Sequence, residues 1–262
     1  MIALKSKKRP GPDRPPTERV LAHVEALIAL ELVPGASLPS EAALALDCGV
    51  SRLTIREALK LLAGRGLLDI GQGRRAIVRE PDGSSFGGFL EALMQRDPKG
   101  LLELLEVRRA LEIQSASLAA SRISRAGVAG LQNALDGMSK AAQTMRNSGR
   151  QTDANDRFHD WDIGFHEALA LASGNRMLAS LIEALAKPLR NCFTMSMEGR
   201  LLRGISPTTT VTEHQRIFDY VVAGNARGAA SAMRAHLQEA EQDIRTILSA
   251  RSKGAKPQRT SA

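Results

Sequence analysis

Apolar and polar positions fall into two regimes, a mixed one over the first eighty or so residues and a helical one after them. From Ser51 onward Ile55, Leu59 and Leu62 recur at helical spacing with Ala58 beside them, so one face of that segment packs inward. The runs Leu67-Leu68-Asp69-Ile70 and Arg74-Arg75-Ala76-Ile77-Val78, on either side of Gly71-Gln72-Gly73, read as a small hairpin with a cationic tip. Past the linker-like Glu80-Pro81-Asp82-Gly83-Ser84-Ser85, the pattern is helical and no alternating strand pattern of any length interrupts it. It predicts helices near 86–96, 98–123, 125–147, 153–173, 175–203, 209–223 and 226–250, with breaks at Gly174-Asn175, Ser206-Pro207 and Gly224-Asn225. Aromatic residues make up only 3% of the chain, so Leu and Ala must build most of the core, which suits an antiparallel helical bundle.

Residues 38–78 carry the densest punctuation and read as two short helices, a tight turn, a longer helix and the basic hairpin. After Pro39, Ser40 can cap exposed backbone N–H groups, and Glu41 suits the positive end of the helix dipole. Cys48-Gly49-Val50 turns the chain, Gly49 supplying backbone freedom, and Ser51 can cap the next helix. Helices joined by so short a turn cross steeply. On the outward face Arg52 and Arg56 lie one turn apart, where a helix entering a major groove would present them, and each could read guanine bidentately. A solvated charged face is what most such pairs are when taken alone. The ordered set of capped helix, turn, cationic helix and basic wing favours DNA reading.

LPSE at 38–41, GVSRLTIREAL at 49–59 and the GL…GQG wing resemble the winged helix-turn-helix of GntR-type bacterial transcription regulators across most of residues 15–80. The resemblance implies that Arg52 and Arg56 read bases, that Ser51 and Thr54 support phosphate or base contacts, and that Gln72, Gly73 and Arg74 form the wing tip. Ala42 stands where the family often has a basic residue, and Arg75 where it has a second wing glycine.

Composition sharpens this picture. The formal net charge is +8, with 13 Lys/Arg against 9 Asp/Glu in residues 1–80, 19 against 19 in 81–250, and 4 against none in 251–262. A basic N-terminal module on a neutral body fits a phosphate-binding reader attached to a separate sensor. At 262 residues two domains have room for real cores, expected at 15–80 and 86–250, with 81–85 as linker. Residues 1–14 and 251–262, rich in Lys, Arg, Pro and Ser, are expected to be a disordered basic arm and tail. Cys48 and Cys192 are too few for a disulfide framework and read as free thiols. The N-terminus lacks the apolar core of a signal peptide and no segment is apolar enough to span a bilayer, so the expected location is cytoplasmic, with no membrane partner.

A second constellation lies in the helical part. Asp162 and His166 are four residues apart, which puts a carboxylate and an imidazole on one helix face. His214 precedes the Gly224-Asn225 turn by about as many residues as His236 follows it, so in an antiparallel pair the two imidazoles fall at similar height. One Asp and three His could therefore converge on one divalent cation with positions left open. Against this stands the commonness of Asp–His salt bridges and core histidines. His159, one turn before Asp162, leaves a different ligand set open.

DIGFHEALALASGN, EHQRIFDYVVAGN and AMRAHLQEA resemble the FCD domain of the FadR branch over roughly residues 86–248. That resemblance implies Asp162, His166, His214 and His236 as metal ligands and leaves out His159 and His23. Zinc is the first expectation for the ion, with nickel or manganese as alternatives. Through EVRRALE it also implies that Arg108 faces the pocket, where a guanidinium can hold a carboxylate; the plain alternative is a surface ion pair with Glu112, and Arg109 is expected to face solvent. The implied function is a regulator, a repressor by default, whose affinity for a palindromic operator changes in a homodimer when a hydroxy acid, sugar acid or dicarboxylate binds. A metal-responsive sensor, a purely architectural DNA binder and a metal-dependent enzyme are the alternatives. Glu167 is expected to point off the ligand face, and no nucleophile motif or phosphate loop accompanies the site, which weighs against catalysis.

Overall fold

A computed structural model of the chain describes residues 14–80, 83–96, 100–148 and 152–254, and it divides at Ser85/Phe86 into two compact units. Most of the arm and most of the tail expected to be disordered, together with residues 81–82 of the linker, lie outside the described residues.

The N-terminal unit contains α1 (Pro16–Leu30), α2 (Glu41–Cys48), α3 (Arg52–Gly64) and an antiparallel pair, β1 (Leu68–Asp69) and β2 (Ile77–Val78). Residues 38–78 thus hold one short helix and one longer one rather than two short helices and a longer one; the third helix, α1, precedes them. The caps form where the sequence places them. Ser40 Oγ accepts from the Ala43 N–H and Ser51 Oγ from the Thr54 N–H. Gly49 ends α2 in the left-handed region at φ 62°, and the Arg19 guanidinium of α1 donates to the Cys48 carbonyl. Ile55, Ala58, Leu59 and Leu62 of α3 pack with Val20, Val24, Leu38, Leu44, Leu68 and Val78. Hydrogen bonds from Gly35 N to Val78 O, Val78 N to Ala36 O and Leu38 N to Ala76 O tie the α1–α2 connection to the outer edge of β2, a pairing the hairpin pattern does not reveal.

The second unit is helical throughout its described residues: α4 (Ser84–Arg96), α5 (Gly100–Arg122), α6 (Arg125–Ser148), α7 (Thr152–Ala172), α8 (Arg176–Leu202), α9 (Pro207–Val222) and α10 (Ala226–Gly254). α9 opens two residues earlier than the apolar pattern suggests, because Ser206 caps it and Pro207 takes the first helical position, where no N–H is needed. α4 opens inside the segment expected as linker, and α10 runs past residue 250 into that expected as tail. Two apolar clusters form. One joins α5, α6, α7, α9 and α10 around Leu135, Met138, Phe158, Phe165, Ile217 and Met233; the other joins α5, α7, α8 and α10 around Leu105, Ile182, Leu189, Phe193 and Ile244. Between them sits a layer of buried polar side chains.

Two close approaches set the packing of α8. Pro188 cannot donate to the Ala184 carbonyl, and Gly87 of α4 packs over that oxygen, where an added Cβ would lie 2.8 Å away. At Gly199 a Cβ would lie 2.2 Å from the Asp243 carbonyl oxygen of α10. Gly199→Ala gains up to about 1 kcal/mol of helix propensity but must push two backbones apart. The clash wins, and a net loss of about 1–3 kcal/mol is expected in urea unfolding. Gly164→Ala on α7, where an added Cβ meets no atom within 4 Å, is expected to be neutral or stabilising in the same assay, so equal behaviour of the two variants would discredit the close approach.

Candidate functional site

In the N-terminal unit the α2–α3 pair and the wing enclose a cleft of about 790 Å³, lined by Ser40, Ala42, Arg52, Arg56, Lys60, Gln72, Gly73, Arg74 and Arg75 among others. Arg52, Arg56, Gln72, Gly73, Arg74 and Arg75 are exposed. Ser51 and Thr54 lie at the α3 N-terminus, and their hydroxyls are 3.0 Å apart. One expected reader and one wing-tip residue are engaged. Arg56 Nε donates to Glu41 Oε2 at 2.8 Å, and Arg74 Nη2 to Asp69 Oδ2 at 2.7 Å. Both pairs are largely exposed, so a phosphate or base edge can compete for either guanidinium. Lys60 adds a cation that motif reading did not single out, and Arg75, which stands in place of the second wing glycine, adds another. Only the folding of the wing against α3 gathers them.

In the helical unit, Arg108 and Glu112 on α5, Asp162 and His166 on α7, His214 on α9 and His236 on α10 are all buried. One nitrogen from each of His166, His214 and His236 lies within 4.8 Å of the other two. Each ring is held from behind. The Glu112 carboxylate lies against His166 Nδ1, His214 Nδ1 donates to the Thr210 carbonyl at 2.8 Å, and His236 Nδ1 donates to Glu213 Oε2 at 3.0 Å. With Nδ1 of His214 and His236 donating, and with His166 Nε2 accepting from the Arg108 guanidinium, each Nε2 carries a lone pair. His166 Nε2 and His214 Nε2 then face each other at 3.3 Å, and Asp162 Oδ1 is 3.2 Å from His214 Nε2. Such a concentration of electron pairs calls for a positive charge. Arg108 Nη2 supplies one contact, 3.2 Å from His166 Nε2.

The ionisation states suit a metal. Burial pushes His214 and His236 down, His236 well below the usual imidazole range. Burial pushes the Asp162 carboxyl up, but His214, His166, His236 and Arg108 outweigh it and hold it below its usual value. Neutral imidazoles and an ionised carboxylate are the forms that ligate a divalent ion, so the donor set fits one. His159 is buried but is not one of the three converging histidines, and His23 lies on α1 in the other unit.

Arg108 is no surface residue. Its Nε donates to Glu112 Oε1 at 2.5 Å with both side chains 4% exposed, and its guanidinium lies 4.6 Å from the Phe193 ring centroid. Arg109 is half-exposed and pairs with Glu241. Glu167 is half-buried and lines a crevice with Arg108 and His166, and it is not one of the residues whose ligand atoms converge. A cavity of about 30 Å³ adjoins the cluster, lined by Arg108, His159, Asp162, Arg200 and His236 with apolar groups from Phe158, Phe193 and Met197. Sequence reasoning missed Glu213, Thr210 and Arg200. Glu213 is adjacent to one ligand in the chain yet serves another across the helix pair, so spacing carries no sign of it.

Two family models match the chain: "Bacterial regulatory proteins, gntR family" over residues 16–78 and "FCD domain" over residues 103–239. The chain is 36% identical over 215 residues to the HTH-type transcriptional regulator LutR of Bacillus subtilis (strain 168), covering 80% of this chain and 92% of that protein. It is 28% identical over 235 residues to the Glc operon transcriptional activator of Escherichia coli (strain K12), covering 89% and 91%. A solved structure of Streptococcus agalactiae GntR superposes with a TM-score of 0.69 at 25% identity, covering 86% of this chain and 99% of that one.

Removing one member of a buried ion pair strands the other. Glu112→Gln is therefore expected to cost about 3–5 kcal/mol in urea unfolding of chelator-treated protein. A loss below about 1 kcal/mol would mean that Arg108 finds another partner at no cost.

Proposed function

Because the chain belongs to the GntR family of bacterial DNA-binding transcription regulators and carries an FCD domain, we propose that its operator affinity is set by a small organic acid held at a divalent metal in the helical unit. Residues 15–80 are the DNA-reading module and residues 86–250 the effector-binding and dimerisation domain of a homodimer on a palindromic operator. Arg52 and Arg56 read base edges, Ser51 and Thr54 contact phosphate or bases at the α3 N-terminus, and Gln72, Gly73 and Arg74 lie along the duplex from the wing. Repression is the default action.

His166, His214, His236 and Asp162 would hold the ion, zinc before nickel or manganese. The observation that carries this is the opposed pair of Nε2 lone pairs, each ring fixed by an acceptor at Nδ1. Bound there, the ion offers open coordination positions to the oxygens of an acid. Arg108 supplies a guanidinium for the acid's carboxylate, and to do so it gives up its contact with His166 Nε2. The 30 Å³ cavity holds about two waters, less than any hydroxy acid, sugar acid or dicarboxylate needs. Binding must therefore displace the α8 and α10 side chains that wall it. An acid that fits the displaced arrangement better shifts the population towards it, and typical coupling of about 1–3 kcal/mol reaches the winged helices.

The three-histidine cluster favours one second reading. An ion there would take the His166 Nε2 lone pair from Arg108 with no acid present, so the metal itself can be the signal. DNA affinity would then follow metal concentration with no acid present.

Metal-loaded protein is expected to gain thermal stability from short hydroxy acids, sugar acids or dicarboxylates, and to lose that gain on chelation and in Arg108→Ala and His214→Ala. Chelation without effect, and no acid stabilising, would reduce the helical unit to a dimerisation module. For the other unit, duplexes selected from a random pool are expected to bind Arg52→Ala about 1–3 kcal/mol more weakly with relaxed preference at one position. A uniform loss across sequences would make Arg52 a phosphate contact.

A further inference from the structure

His159 lies one turn before Asp162 on α7, is 7% exposed, and is not one of the three histidines whose nitrogens converge. Its Nε2 is fully buried and has no hydrogen-bond partner among the described residues. Buried polar atoms in native folds are nearly always paired, so an orphan of this kind marks the place of a missing partner. His159 lines the same small cavity as Arg108, Asp162, Arg200 and His236. Several polar groups on that wall are engaged elsewhere. Arg200 donates to Asp243, Thr210 and Glu213, His236 Nδ1 to Glu213, and Arg108 Nε to Glu112.

We propose that His159 Nε2 is the hydrogen-bonding partner of the effector's hydroxyl group, and so the residue that selects hydroxy acids over acids without a hydroxyl. This rests on the reading that an acid binds between the metal and Arg108. Two observations fix the class of group. Burial pushes the His159 imidazole down, which leaves a neutral ring for a neutral partner. The Asp162 carboxylate, one turn away on the same helix and lining the same cavity, repels a second carboxylate but tolerates a hydroxyl. A hydroxyl also donates and accepts, so it satisfies Nε2 in either tautomer. A site that leaves a buried nitrogen unpaired when the hydroxyl is missing discriminates more strongly than one that merely lacks a contact.

The test uses the metal-loaded full chain and four probes: glycolate and acetate, L-lactate and propionate, titrated calorimetrically. Wild type is expected to bind each hydroxy acid at least about tenfold more tightly than its partner. In His159→Phe, which keeps the ring and loses the polar edge, the preference collapses through weaker hydroxy-acid binding, while acetate, propionate and metal affinities hold. His159→Gln restores most of the preference. His159→Asn, too short to reach, behaves like the phenylalanine variant and keeps the test open should that one fail to fold. An unchanged preference in both Phe and Asn variants overturns the proposal, as does weakened metal binding in either, which would make His159 a ligand. If wild type binds none of the four acids, the reading of the site as an acid sensor falls first and this inference with it.

Discussion

One buried carboxylate, Glu112, organises the polar centre of the helical unit. Its two oxygens lie against Arg108 Nε and His166 Nδ1, so a single side chain places both the guanidinium and the imidazole. Burial raises the Glu112 carboxyl, but Arg108 and His166 outweigh it and hold it well below the usual range. A charge so enclosed is tolerable only while both neighbours remain. The His166 Nε2 lone pair can accept from Arg108 or bind a cation, but not both. Competition for one lone pair thus ties the position of Arg108 to the state of the three-histidine cluster.

From His236 a second chain of contacts leads outward. Glu213 accepts from His236 and from Arg200; Arg200 of α8 and Arg203, just past its end, both donate to Asp243, which is completely buried on α10; and Arg203 also reaches Glu239. This ladder meets the place where Gly199 lets α8 and α10 touch backbone to backbone. The ladder thus connects the His236 ring to the α8–α10 crossing through a continuous run of hydrogen bonds.

The N-terminal unit follows the opposite economy. Its fold rests on caps and a small apolar core, while the cations of the cleft are left in exposed pairs such as Arg56–Glu41 and Arg74–Asp69. Exposed pairs are weak and readily exchanged. The polar contacts around Glu112 and Asp243 are buried; those in the cleft are exposed and exchangeable.

How much of this was legible in the residues differs by scale. Local features were. The caps at Ser40 and Ser51, the turn at Gly49, the inward face of Ile55 and Leu62, the helical run after residue 85 and the placing of Asp162 and His166 on one helix all follow from interactions within a few residues, and for those the sequence by itself determined the outcome. The meeting of His214 with His236 was also within reach, because one tight turn joins their helices. Tertiary structure alone decided the rest: the bonding of residues 35–38 to β2, the burial of Arg108 with Glu112, the service of His236 by Glu213, and the orphaned edge of His159. Each of these depends on which helix packs against which and at what angle, and that is settled by side chains filling space between elements far apart in the chain, where spacing along the sequence carries no information.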